Sequence, residues 1–102
     1  MASRLKLHED FCQLLGSNNV YYQPPTSVSM LYPCIKYTKA RPDLKRADDR
    51  IYRNTTCYEV TVMDYDIDSK IPDMILEQYP MCSFDRVYPA NNLYHFVLTL
   101  YI

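Results

Sequence analysis

Apolar residues recur at spacings of three and four near the start of the chain and at spacings of two further on, which predicts a helix first and sheet after it. From Ser3 to Leu15, Leu5, His8, Cys12 and Leu15 make one face, widened by Leu7, Phe11 and Leu14. Ser3 suits the N-cap, and Gly16 suits the stop. Gly16-Ser17-Asn18-Asn19 is a turn cluster. Val20 to Gln23 then run extended ahead of Pro24 and Pro25, because proline keeps the residue before it out of the helical region.

Met30 to Thr38 predicts a strand. Pro33 has no N–H to give to a ladder, so this strand is expected at a sheet edge or at a bulge. Thr55 to Tyr65 is the clearest strand: Tyr58, Val60 and Val62 alternate with Glu59, Thr61 and Met63. Asp68 or Ser69 is expected to cap a second helix that runs to about Tyr79, with Pro72 in its first turn and Ile71, Ile75, Leu76 and Tyr79 on its apolar face. Pro80 ends it. Cys82 to Tyr88 and Leu93 to Ile102 read as two more strands, joined by a hairpin-length turn at Pro89-Ala90-Asn91-Asn92.

The order α-β-β-α-β-β predicts one α+β domain over residues 1–102: a single four- or five-stranded mixed or antiparallel sheet with two helices packed on one face. The strand–helix–strand unit from 55 to 88 is expected to cross over right-handed. Between them lies Thr38 to Asn54, long, polar and poorly patterned, and so expected to be a charged loop or a further hairpin.

Length and composition narrow the function. A chain of 102 residues fits one domain, with a thin core. A net charge of −1 argues against general nucleic-acid binding. The single glycine, Gly16, excludes a Gly-rich phosphate loop. No apolar run is long enough to span a bilayer, and the charged N-terminus does not resemble a signal peptide, so folding in a cytoplasm is expected. Cys12, Cys34, Cys57 and Cys82 include no C-x-x-C spacing and read as reduced, mostly buried thiols. Eleven tyrosines and no tryptophan suit half-buried strand faces and protein interfaces.

Candidate chemistry is sparse. Asp64-Tyr65-Asp66-Ile67-Asp68-Ser69 begins like a calcium loop, but the sixth and twelfth positions hold Ser69 and Ile75 where glycine and glutamate are required. A strand end followed by a helix N-terminus is the better reading. His8 and His95 stand beside no nucleophile, and His95 reads as a strand-face residue. No catalytic, cofactor or metal site is expected.

Charge is where the pattern departs from the ordinary. Seven of the eleven Lys and Arg residues lie between Lys36 and Arg53, and five of the twelve acids lie between Asp64 and Glu77. A solvated loop explains the basic run most simply. The alternative is complementarity between copies, with Lys39, Arg41, Lys45, Arg46, Arg50 and Arg53 of one subunit facing Asp66, Asp68 and Asp73 of the next, in a contact able to close a ring.

The segments Leu31-Tyr32-Pro33-Cys34-Ile35-Lys36-Tyr37, Tyr58-Glu59-Val60-Thr61-Val62-Met63-Asp64, Pro80-Met81-Cys82-Ser83-Phe84-Asp85-Arg86 and Asn92-Leu93-Tyr94-His95-Phe96-Val97-Leu98-Thr99-Leu100-Tyr101 together resemble the tail terminator, or tail completion, family of long-tailed bacteriophages. The resemblance covers about two-thirds of the chain and rests on overall pattern and order, since the family has no catalytic signature. It implies an α/β fold with a mixed or antiparallel sheet and a homo-hexameric ring. That ring caps the last ring of tail-tube protein and joins the tail to the connector or stopper of the head. DNA passes through its lumen without specific binding. Assembly in the host cytoplasm and a final place in the virion are implied as well. A head-completion or stopper ring is the nearest alternative, and a small phage-encoded module that binds one host protein is another.

Overall fold

A computed structural model describes residues 4–25, 29–40 and 56–102. The elements are α1 (Arg4–Leu15), β1 (Val20–Tyr22), β2 (Cys34–Ala40), β3 (Cys57–Asp64), α2 (Ile71–Gln78), β4 (Cys82–Ala90) and β5 (Leu93–Tyr101). They form the expected α+β fold: one five-stranded mixed sheet in the order β1-β2-β3-β5-β4, with both helices on one face.

The fifth strand is β1. It runs parallel to β2, Val20 opposite Ile35 and Tyr22 opposite Tyr37, while every other pairing is antiparallel. The expectation for residues 30–38 is corrected here. β2 starts after Pro33, at Cys34, and lies inside the sheet between β1 and β3. Pro33 precedes the strand, so its missing N–H removes nothing from the ladder. β2 also runs two residues further than expected, to Ala40, which places Lys39 in a strand opposite Tyr58. The remainder of the expected loop, residues 41–54, lies outside the described residues, as does Ser3.

The core lies between helices and sheet. Leu7 and Phe11 of α1 and Ile75 and Tyr79 of α2 pack on Ile35, Tyr37, Tyr58, Val60, Val62, Phe96, Leu98 and Leu100. The alternations in β3 and β5 are therefore real faces. The stripe on α1 centres on Leu7 and Phe11, and Leu5 points to solvent. The far side of the sheet is not bare either. Cys34, Met63 and Leu93 form a second buried cluster, covered by Tyr21, Met30 and Tyr32.

Element ends follow from local chemistry. Gly16, at φ +77°, stops α1 and donates its N–H to Cys12 O at 2.9 Å. At α2 the cap position is Lys70, with no side-chain cap, and the Ser69 hydroxyl accepts from Ile71 N at a weak 3.4 Å. Asn91 and Asn92 turn β4 into β5 with both φ positive, 54° and 65°, the two-residue hairpin that matches strand twist. Asparagine tolerates that region best after glycine.

Side-chain bonds tie the helices down. The Tyr79 hydroxyl donates to Asp10 Oδ2 at 3.1 Å, and Lys6 pairs with Asp10 Oδ1 at 2.9 Å. Buried Tyr37 pairs its hydroxyl with His8 Nδ1 at 2.8 Å and accepts from Arg4 at 3.5 Å. The Arg4 guanidinium also lies 4.4 Å from the centre of the Tyr22 ring. Three of the eleven tyrosines, Tyr22, Tyr37 and Tyr58, thus form a core cluster, with ring centres 4.9–6.5 Å apart.

Candidate interaction surface

β4 is the strand that departs from its neighbours. It has nine residues, longer than the ~5–6 of an average strand. It forms one edge of the sheet, and every residue from Ser83 to Pro89 is exposed. Register against β5 places Phe84 opposite Leu98 and Val87 opposite Phe96, so both point to the helix face. They remain 45% and 41% exposed, although α2 packs beside this strand. Phe84 borders a shallow groove of about 500 Å³ with Ile67, Pro72, Leu76 and Phe96.

Between Phe84 and Val87 the register shifts by one residue at a β-bulge. Asp85 and Arg86 then both lie on the face away from the helices: Arg86 stands opposite Val97, and the Asp85 carboxylate accepts from the Thr99 hydroxyl at 2.7 Å. Tyr88 is on the same face, 39% exposed, stacked on His95 at 4.9 Å with only 7° between rings. The Arg86 guanidinium is 5.8 Å from the Tyr88 ring centre. His95 also pairs through Nε2 with the Ala90 carbonyl at 3.1 Å. It is the strand-face residue the sequence predicts.

Charges, a bulge and a proline are also how monomeric proteins blunt an open edge. Phe84, Val87 and Tyr88 nonetheless leave apolar surface open along this edge. A second exposed apolar group sits where β3 ends. Leu31, Tyr65 and Ile67 are all exposed there, with Tyr65 edge-on to Tyr32 at 6.3 Å.

The nine charged contact residues expected from the sequence fall into three sets. Lys39 is exposed on β2, its backbone N–H held by the Gln23 side chain at 3.1 Å. Asp66, Asp68 and Asp73 are exposed at the other end of the sheet, past the end of β3 and in the first turn of α2. Arg41, Lys45, Arg46, Arg50 and Arg53 lie outside the described residues. Tyr58, beside Lys39, stands six residue steps along β3 from Asp64, a span of roughly 20 Å at ~3.3 Å per residue. One subunit therefore does not bring Lys39 and the acidic turn together.

In that turn the carboxylates serve the backbone. Asp64 Oδ1 accepts from Asp66 N at 3.2 Å, and Asp66 Oδ1 accepts from Asp68 N at 2.9 Å. Among the described residues no group of His, Cys, Asp and Glu is placed to hold a metal ion. The cysteines are free thiols. Burial pushes Cys34 and Cys82 up to about 11, so neither is a poised nucleophile at neutral pH. Among the described residues no helix is long and apolar enough to cross a membrane.

What the fold and this surface define is an α+β domain with an open, partly apolar sheet edge. Compared with family models, curated proteins and solved structures, the chain matches none of them.

Sequence reading missed the β4 edge. Its signal is faint: Phe84 and Val87 are three apart, and that spacing hides a strand face unless a bulge is assumed at Asp85-Arg86.

Proposed function

We propose that the protein is a structural subunit of a phage particle, a tail terminator that closes into a ring on the end of the tail tube. The observation that carries this reading is the exposed apolar edge of β4, a surface suited to contact with other protein. The resemblance over residues 31–102 supplies the kind of assembly. The distance between Lys39 and the acidic turn adds support: opposite charges at opposite ends of a subunit attract between neighbours in a head-to-tail ring.

The mechanism is steric and electrostatic, with no bond made or broken. A homo-hexameric ring seats one face on the last ring of tail-tube protein and hides the surface where the next would add. The other face meets the connector or stopper of the head. DNA passes the lumen without specific binding, since strong phosphate contacts along the wall would hold it against ejection. Assembly takes place in the host cytoplasm, and the ring stays in the virion.

Imaging of particles made without the protein tests this. Overlong tails unattached to heads are expected. Heads that leak DNA beside tails of normal length would identify a stopper ring instead. Normal particles would overturn both and favour a host-binding module.

A further inference from the structure

We propose that the free subunit pairs with a second copy of itself along β4, antiparallel, about a two-fold axis that passes between Asp85 and Arg86. This goes beyond the terminator reading: it concerns the subunit before it enters a ring, and each can fail without the other.

The middle of β4 is self-complementary. An axis between Asp85 and Arg86 puts Phe84 opposite Val87 of the partner subunit and Asp85 opposite the partner subunit's Arg86, with each contact made twice. Faces agree as well as residues. Phe84 and Val87 both point to the helix side, opposite Leu98 and Phe96. Asp85 and Arg86 both point away from it, because the bulge turns two consecutive residues to one side. A regular strand would place Asp85 and Arg86 on opposite faces and spoil the match. With the bulges of both copies on the axis, each strand gives the same number of residues to the contact. Backbone pairing then runs on either side of the bulge, Ser83 and Phe84 against Val87 and Tyr88, and ends at Pro89, which has no N–H to donate.

The other open edge is a poor occupant. β1 has three residues against nine in β4, so joining β4 to β1 of a neighbour leaves most of the exposed strand uncovered. Pairing β4 with β4 covers it on both copies at once and removes an edge that would otherwise invite disordered aggregation. Apolar cross-strand pairs fix adhesion, and the two ion pairs fix register.

Charge exchange tests the register. Sedimentation equilibrium over a range of concentrations should give twice 12.1 kDa for the natural protein. Asp85→Arg and Arg86→Asp alone should each weaken the dimer about tenfold or more, by facing like charges twice. The double variant D85R/R86D should restore it, which only a self-paired edge allows. Thr99→Val removes the hydrogen bond to Asp85 without touching charge and should leave the dimer intact. As a check that does not rest on charge, Ser83→Cys with Tyr88→Cys should give a covalent dimer on oxidation, and Ser83→Cys alone should not. A mass of 12.1 kDa throughout, or a double variant no better than the single ones, would overturn self-pairing. So would a ring-sized mass indifferent to all of these changes, which would leave the terminator reading standing.

Discussion

β4 and β5 are neighbours of nine residues each, joined by a two-residue turn and paired along nearly their whole length. Both aim apolar side chains at the helix face. In β5 the residues Phe96, Leu98 and Leu100 are buried, whereas in β4 the residues Phe84 and Val87 are not. The difference lies in what stands above them. α1 packs by β1 and β2 and α2 beside β4, and together they bury the β5 residues while leaving Phe84 and Val87 partly open. An apolar pattern therefore states which face a strand turns inward, and only the tertiary layout states whether anything in the same molecule meets it. Where cover is incomplete, apolar surface is left open to contact.

The largest expected effect sets the two strands against each other directly. Leu98→Ala opens a cavity in the core and should cost about 3 kcal/mol of stability in urea unfolding, whereas Phe84→Ala should cost about 1 kcal/mol in dilute monomer. Equal costs would mean that Phe84 is a core residue and β4 no surface. A smaller effect is expected at the turn that holds the strands in register. Asn92→Val forces a β-branched residue into φ +65° and should cost about 1–2 kcal/mol, while Asn92→Gly should be close to neutral.

A further effect is one of pH. Cys82, which opens β4, and Cys34, beneath the far-side cluster, both have thiols raised by burial from 9.0 to about 11. The unfolded chain loses these protons first as pH rises. The contribution is thus complete below pH 9 and is lost as pH climbs through about 11. Urea midpoints should hold steady up to pH 9 and fall beyond it, more gently in Cys82→Ala. A midpoint that rises with pH in that range would contradict the burial of both thiols.

Much of this fold can be read from the chain, for physical reasons that differ by element. β3 and β5 announce themselves because one face is fully buried and selection of apolar residues at every second position follows. α2 is equally plain from Pro72, Ile75 and Tyr79. β1 is hidden, since three residues carry no period, and its parallel partner is fixed by the path of the chain after α1. Pro33 misleads: it marks the start of β2, and composition alone cannot tell a start from an edge. Of the candidate surface, the acidic turn is visible in the spacing of Asp64, Asp66 and Asp68, and the structure gives those carboxylates a backbone role. The β4 edge stays hidden because sheet order is a long-range property and a bulge breaks the alternation that would mark its faces.

Hydrogen exchange of the free protein, read strand by strand as concentration is raised, goes furthest toward deciding whether β4 is a surface made for other protein. Amides of β3 and β5 should be protected at every concentration, because their ladders lie inside the sheet. Amides of β4 that point away from β5 should exchange quickly in dilute solution and slow as copies pair, with Arg86→Asp moving the change to about tenfold higher concentration or beyond. Protection of β4 that is already complete at the lowest concentration would contradict the assignment of this strand as an open surface, and protection that never varies would contradict its self-pairing.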